Sequence, residues 1–154
     1  MFSFASPKLE GLLKSKSVIG LECILSAEGT RQFNYVVLKK EKNRLITDSS
    51  ADSLNDIGQL KTALDVSFPV HLVFNGKGII HKKFPLSPGE TDSSLLNKIF
   101  PAANLNDFYL QQVKSDEASQ IVSVIRKTIA DLVFHDLKQA GFSVIACSLG
   151  PFCF

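Results

Sequence analysis

The chain has 154 residues and a net charge of +2, and hydrophobic residues make up 45% of it. That length allows one substantial core, or one core with a small lobe, and the apolar content excludes a mostly disordered chain. The even charge balance argues against a nucleic-acid-binding protein, which needs lysine and arginine clustered on one face. The densest basic stretch, residues 39–44, is interpreted as the solvated end of a hairpin.

Neither a membrane span nor an export signal is predicted. No run approaches the roughly 18 apolar residues that a bilayer-spanning helix needs, and residues 1–7 lack the basic region and apolar core of a signal peptide. We therefore expect the protein to stay in the cytoplasm. The cysteines are odd in number and form no Cys-x-x-Cys pair, so we expect buried free thiols at Cys23, Cys147 and Cys153.

The first third of the chain predicts an antiparallel meander after a polar lead-in over residues 1–16. Residues 17–25 are an apolar run of strand length, and residues 33–38 are rich in β-branched and aromatic side chains. Residues 45–47 are a short third strand, and the polar cluster at 48–52 predicts a turn after it.

The middle of the chain predicts a helix and then a β-hairpin. From Ser53 onward apolar residues recur at helical spacing, and Ser53 with Asp56 provides a capping pair. Residues 70–74 alternate as a strand, and residues 79–84 resume as one after the turn signal at 75–78. We expect these two strands to be the arms of one hairpin.

Three elements follow before the last helix. Residues 93–100 carry apolar side chains at helical spacing, and this helix ends before Pro101. Residues 108–113 and 121–125 are strand-like, and the polar segment between them predicts a hairpin loop.

The best-specified unit is a strand, a helix and a strand over residues 119–150. Thr128 and Asp131 form a variant capping box at the start of the helix. Gly141 ends it in the left-handed conformation that glycine adopts without strain, and residues 142–147 follow as an apolar strand. The predicted buried face of the helix comprises Ile129, Leu132, Val133, Leu137 and Ala140.

Motifs for catalysis or metal binding are missing from the sequence. His71 and His81 lie on the two arms of the predicted hairpin, where they supply at most two ligands, and a zinc site needs three or four. His135 lies on the polar face of the last helix as a solvated residue. No Gly-x-Ser-x-Gly elbow, Walker-type loop or dinucleotide fingerprint occurs. We therefore predict no catalytic, cofactor-binding or metal-binding residue.

The order of the elements and several short motifs resemble a known family. The motifs are Val-His-Leu-Val-Phe-Asn-Gly at 70–76, Gly-Ile-Ile-His-Lys-Lys-Phe-Pro-Leu at 78–86, the Ala-Gly-Phe turn at 140–142, and the strand with Pro-Phe at 144–152. Over residues 17–154 the chain resembles the N-terminal lobe of the actin-like proteins of bacterial pilus and secretion machinery. These are the PilM and GspL group, related to the division protein FtsA.

The resemblance implies an α/β fold of the ribonuclease H-like, actin-like ATPase type, with an inserted strand–helix–strand–strand subdomain. Residues 17–78 and 142–154 then form the ribonuclease H-like lobe, and residues 79–141 form the inserted subdomain. In this family the inserted piece serves protein–protein contact. Gly141 thereby becomes a subdomain boundary as well as a helix end.

The phosphate loop of the nucleotide-binding members is degraded in this chain. Those members carry Asp-x-Gly-Ser/Thr after the first strand, where glycine lets backbone donors approach the phosphate. In the corresponding stretch, residues 20–26, Glu22 stands where the aspartate belongs, but Ile24 replaces the glycine and no hydroxyl follows it. A β-branched side chain there blocks a phosphate, so no cofactor is expected.

The resemblance implies a catalytically silent assembly lobe of a type IV pilus or type II secretion-like system. Its expected partners are a secretion or pilus ATPase, or the cytoplasmic tail of an inner-membrane protein bound by strand addition or groove docking. The lobe then meets the membrane only through these partners. Two alternatives remain open: an ATPase or sugar-kinase-like lobe that needs a second lobe after Phe154, and an unrelated α+β domain whose element order matches by chance.

Overall fold

A computed structural model describes residues 15–42 and 44–151, which form eight strands, three α-helices and a 3-10 helix over Leu105–Asp107. Most of the predicted lead-in, residues 1–14, and Cys153 lie outside the described residues. In chain order the strands are β1 (Ser17–Leu25), β2 (Arg31–Glu41), β3 (Arg44–Leu54), β4 (Pro69–Gly76), β5 (Ile79–Pro85), β6 (Phe108–Lys114), β7 (Ser119–Arg126) and β8 (Ser143–Leu149). The helices are α1 (Ile57–Ala63), α2 (Asp92–Ile99) and α3 (Lys127–Gln139).

The larger sheet has five strands in the spatial order β3-β2-β1-β4-β8. The first three strands pair antiparallel, which confirms the predicted meander, and β4 and β8 continue the sheet in parallel. The central strand β1 alternates strictly between buried and half-exposed residues, because helices cover only one face of the sheet. The side chains of Ile19, Leu21 and Cys23 on the covered face are fully buried.

The smaller sheet is antiparallel and has β7 between β5 and β6. The predicted hairpin of β4 and β5 is wrong, because β4 pairs with β1 and β8 whereas β5 pairs with β7. The turn itself is present, since Gly76 and Gly78 have φ values of 90° and 87°. A Cβ on Gly76 would lie 2.3 Å from the carbonyl oxygen of Leu25, so only glycine fits where the chain leaves the larger sheet.

Strand β3 is much longer than its sequence predicts. The polar residues 48–52 belong to the strand and do not form the predicted turn. Nearly all residues of β3 are exposed, and its register against β2 shifts twice. An edge strand of this kind needs no apolar face, so serine and aspartate are tolerated where a central strand would exclude them.

Helices α1 and α2 begin at side-chain caps. The Asp56 carboxylate accepts a hydrogen bond from the Gln59 backbone N–H at 2.8 Å and so starts α1, whereas Ser53 is still in β3. The predicted helix at 93–100 is confirmed as α2, which the Thr91 hydroxyl caps through the Ser94 N–H at 3.2 Å.

Helix α3 occupies the predicted segment but starts and faces differently. No side chain caps it, and the predicted box is wrong because Asp131 instead accepts a hydrogen bond from the Tyr109 hydroxyl at 2.7 Å. Leu132, predicted to be buried, is 54% exposed. The Gly141 prediction is confirmed by its φ of 96°. The buried residues of the helix are Ala130, Val133, Phe134 and Leu137.

Two clusters of buried side chains hold the elements together. The main cluster joins the covered face of the larger sheet to α1, α3 and Ile125 of β7. The second cluster joins α2 to the other face of the smaller sheet, through residues such as Leu96 and Val122. The predicted boundaries of an inserted subdomain, at residues 79 and 141, stay a prediction.

Candidate functional site

Strand β8 forms one edge of the larger sheet and pairs with β4 alone within the described part of the chain. The pairing skips Ile145, because Val144 lies opposite Val70 and Ala146 lies opposite His71. The Ile145 side chain is therefore free of the sheet and is 45% exposed. Only residues 143–145 leave this edge accessible, because residues 146–149 are buried and the Leu149 N–H donates to the Gln111 side-chain oxygen at 2.6 Å. The accessible part of the edge, beside an exposed aliphatic side chain, is a template for an added strand.

A groove runs alongside this edge, between β8 and α3. Its volume is about 570 Å³. Phe134 and Phe142 contribute buried aromatic surface, while Asp131 and Lys138 are exposed and give the rim both signs of charge. The lining residues are Asp131, Phe134, His135, Lys138, Gly141, Phe142, Ser143 and Val144.

Gly141 creates this groove by turning the chain sharply from α3 into β8. The Gly141 and Phe142 backbone N–H groups donate to the carbonyls of Lys138 and Leu137, both at 3.0 Å. These bonds close the helix end and fix the angle at which β8 leaves it. The sequence marked the turn, but the groove depends on how α3 packs against the sheet.

Glu22 lies on the uncovered face of the larger sheet. Its two carboxylate oxygens accept hydrogen bonds from the side-chain amides of Asn34, at 2.8 Å, and Asn75, at 2.9 Å. Glu22 makes no ion pair within residues 15–42 and 44–151. The carboxylate thus links β1 to the strands on either side of it.

The stretch compared with a phosphate loop, residues 20–26, lies mainly inside β1. Ile24, for example, is paired with Gln32 of β2 and with Asn75 of β4. Backbone donors of a central strand are used in the two ladders and do not face a ligand. The backbone groups of this stretch are therefore engaged in the sheet, and the prediction that no phosphate binds here stays a prediction.

The turn that does follow β1 spans residues 26–30. The Ser26 hydroxyl oxygen accepts hydrogen bonds from the backbone N–H groups of Glu28, at 3.2 Å, and Thr30, at 3.1 Å. The Thr30 hydroxyl donates to the same oxygen at 2.7 Å. Two of the donors that this turn offers are thus satisfied within it.

A cleft of about 870 Å³ lies beside this turn. Among the described residues that line it, Arg31 is the one basic side chain, and the Arg31 guanidinium pairs with the Asp136 carboxylate of α3 at 2.7 Å. Asp56 at the start of α1 adds a second carboxylate. Sequence reasoning missed the pair, because 105 residues separate its partners and no local pattern marks it.

The histidines are held apart by the two sheets. His71 Nε2 lies 3.1 Å from the Ser148 hydroxyl, and His81 Nδ1 lies 2.7 Å from the Ser123 hydroxyl. Both serines are buried, so neither pair presents a nucleophile to a substrate. Burial lowers the pKa of both imidazoles. His135 is exposed on α3, and within the described ranges no three His, Cys, Asp or Glu side chains converge.

The prediction of buried free thiols is confirmed for Cys23 and Cys147. Burial raises the pKa of the Cys23 thiol to about 12 and also raises that of Cys147. Both therefore remain protonated at neutral pH and are not reactive thiolates. No helix among the described residues is long and apolar enough to cross a membrane.

Two solved structures share this arrangement of elements. One is the cytoplasmic domain of EpsL, an inner membrane component of the type II secretion system of Vibrio cholerae, with a TM-score of 0.56 and 16% identity over 85% of this chain. The other is the PilM–PilN type IV pilus biogenesis complex, with a TM-score of 0.59 and 14% identity over 87% of this chain. The chain thus shares the fold of these two structures, as the resemblance to the PilM and GspL group implied.

The chain spans about half the length of the solved chains that it matches, 57% in the first case and 47% in the second. No protein-family model matches the sequence, and no curated protein matches it either.

Proposed function

We propose that this lobe is a protein-binding scaffold in the assembly of a bacterial type IV pilus or type II secretion-like system. The observation that carries the proposal is the likeness of fold to the EpsL cytoplasmic domain and to the PilM–PilN complex. The first is described as the cytoplasmic part of an inner membrane component, and the second as a complex between two proteins. The lobe accordingly works in the cytoplasm, where it binds a pilus or secretion ATPase or the tail of an inner-membrane protein.

The edge of β8 is the surface that best suits an extended tail. A tail that pairs with the accessible start of β8, residues 143–145, extends the larger sheet there, and its backbone satisfies the open groups of that part of the edge. Every second side chain of such a tail points toward the groove beside α3. Ile145 and the aromatic surface of Phe134 offer it apolar contacts, and Lys138 offers it a charged one.

The same lobe turns over no nucleotide by itself in this proposal. A triphosphate needs backbone donors and cations at its phosphates. The donors of β1 are engaged in the sheet, those of Glu28 and Thr30 bind Ser26, and Arg31 is paired with Asp136. An isothermal titration that detects tight binding of Mg-ATP to the purified chain would contradict this part.

The binding surface is tested with synthetic peptides that span the cytoplasmic tails of inner-membrane proteins encoded beside this gene. We expect one tail to bind, and Ile145→Lys to weaken it at least tenfold, because a charge replaces an apolar contact at the centre of the edge. The matched control is Leu86→Lys, since Leu86 is 41% exposed and lies outside β8. Equal binding by the wild type and Ile145→Lys would exclude the β8 edge, and failure of every tail and of the ATPase to bind would exclude the scaffold.

A further inference from the structure

The end of the β2–β3 hairpin concentrates positive charge and exposed aliphatic surface. Its cations are exposed, and Lys16 joins them because its carbonyl accepts a hydrogen bond from the Lys40 N–H at 2.8 Å. We call this group the basic tip. It consists of Lys16, Lys39, Lys40, Lys42, Arg44, Leu45 and Ile46.

The charge of the tip exceeds that of the whole protein. Five cations against the single carboxylate of Glu41 give this end of the sheet a net charge of +4, whereas the chain has +2, so all other residues together carry −2. Lys39 approaches Glu41 at 3.8 Å, but Lys40, Lys42 and Arg44 make no ion pair in the described part of the chain. The nearest carboxylate along β3 after the tip is that of Asp48.

Two aliphatic side chains stand among these cations. Leu45 is 66% exposed and Ile46 is 38% exposed. In the hairpin ladder Leu45 lies opposite Lys40, and Ile46 lies opposite Lys39. Directly opposed residues share a face and successive residues alternate. Each face of the hairpin therefore presents one aliphatic side chain next to one lysine, and neither contributes to the core.

We propose that the basic tip inserts end-on between the headgroups of an anionic lipid bilayer. In this position Leu45 and Ile46 lie at the level of the headgroups, next to the first acyl carbons. Lys42 and Arg44 are nearer the end of the hairpin, and their stems turn back to the phosphates. A protein groove covers one face of a hairpin, and a nucleic acid binds the cations but leaves both aliphatic side chains in water. A bilayer surrounds the tip and satisfies both faces at once.

This site is independent of the proposed partner edge. Most of the tip belongs to β2 and β3, and the sheet order places β3 and β8 at opposite edges. The inference also differs from the expectation that the lobe meets the membrane only through its partners, because the contact needs no second protein. The membrane proposal is therefore tested independently of the scaffold proposal.

The test is co-sedimentation of the purified chain with vesicles of pure phosphatidylcholine, or of phosphatidylcholine and phosphatidylglycerol in equal parts. We expect binding to the anionic vesicles alone, and we expect it to fall steeply between about 0.05 and about 0.5 M NaCl because salt screens the cations. Lys40→Glu/Lys42→Glu should lose at least tenfold in vesicle affinity. Leu45→Ser/Ile46→Ser should lose about tenfold, since it removes only the inserted side chains.

Two controls match these variants. Lys61→Glu/Lys114→Glu makes the same change in net charge at exposed sites outside the tip, and Leu86→Ser/Leu132→Ser removes equally exposed aliphatic side chains elsewhere. Both should bind anionic vesicles like the wild type, and circular dichroism checks that every variant is folded.

Four outcomes would overturn the proposal, and the last two have the same meaning. The first is no binding to anionic vesicles by the wild type. The second is equal loss in the tip variants and in their matched controls. The third is full retention of binding by Leu45→Ser/Ile46→Ser, because the tip would then be a general polyanion site; tighter binding to a single-stranded RNA than to vesicles would lead to the same conclusion.

Discussion

Gly150 is the residue at which the end of the larger sheet meets the smaller one. Its N–H donates to the Phe74 carbonyl at 2.7 Å, and a Cβ built on it would lie 2.5 Å from His81 Cε1. Its φ of 67° is also one that side-chain-bearing residues rarely adopt. The sequence does not predict that a side chain is excluded at Gly150. The imidazole that excludes it belongs to His81, which lies 69 residues earlier in the chain.

We predict that Gly150→Ala destabilises the protein by about 2–4 kcal/mol, from backbone strain and from the collision with His81. Gly29→Ala is the matched control, because Gly29 has a φ of 81° and nothing within 4 Å of its Cβ position. Strain alone should cost that variant about 1 kcal/mol. Urea unfolding followed by circular dichroism measures the free energy of unfolding of both variants. Equal losses of stability would show that the His81 imidazole moves aside at little cost.

At the scale of the element, the sequence predicts a segment well when its own side chains decide its environment. Strand β1 has the predicted bounds, because the apolar run at residues 17–25 is of strand length and fills a central position in the sheet. Helix α3 is the opposite case. Phe134 is buried by edge-on ring contacts with Phe74, at 5.7 Å, and Tyr109, at 6.5 Å. These partners come from two different sheets, so helical spacing alone placed Leu132 on the buried face.

We predict that Phe134→Ala lowers the free energy of unfolding by about 3–5 kcal/mol, because it opens a cavity between the sheets. Leu132→Ala should change it by no more than about 0.5 kcal/mol, since that side chain is 54% exposed. Both substitutions keep a good helix former, so α3 itself serves as the internal reference. A larger loss for Leu132→Ala than for Phe134→Ala would mean that the helix presents its other face to the core.

At the scale of the whole molecule, the resemblance identified the fold while local signals misassigned one connection. The turn at residues 75–78 looks like a hairpin turn, yet it carries the chain from one sheet to the other. Turn chemistry fixes a change of direction but does not determine which strands pair. Neither candidate surface could be predicted from the sequence. The groove arises from the packing of α3, and the basic stretch indicates a binding surface only once Leu45 and Ile46 are known to be exposed.

The two sheets should unfold in a single transition. The main cluster contains Ile125, which belongs to the smaller sheet, together with side chains of α3 and of the larger sheet. Opening either sheet therefore exposes apolar surface of the other. We expect one calorimetric peak, with equal calorimetric and van't Hoff enthalpies. Two resolved peaks would instead mean that the smaller sheet with α2 is an independently stable unit.

The order of strands in the larger sheet also determines when each strand gains its neighbours during synthesis. The meander is complete once Leu54 has been made, but β8 ends at Leu149, 95 residues later. At ribosomal rates of roughly 5–20 residues per second, that interval lasts roughly 5–20 s. Strand β4 is complete at Gly76, so for the last 73 residues of that interval it has no neighbour on one side, and Val70 and Phe74 lack part of their eventual cover. The nascent chain therefore displays an apolar strand for seconds, and β4 is the segment that a chaperone at the ribosome should recognise.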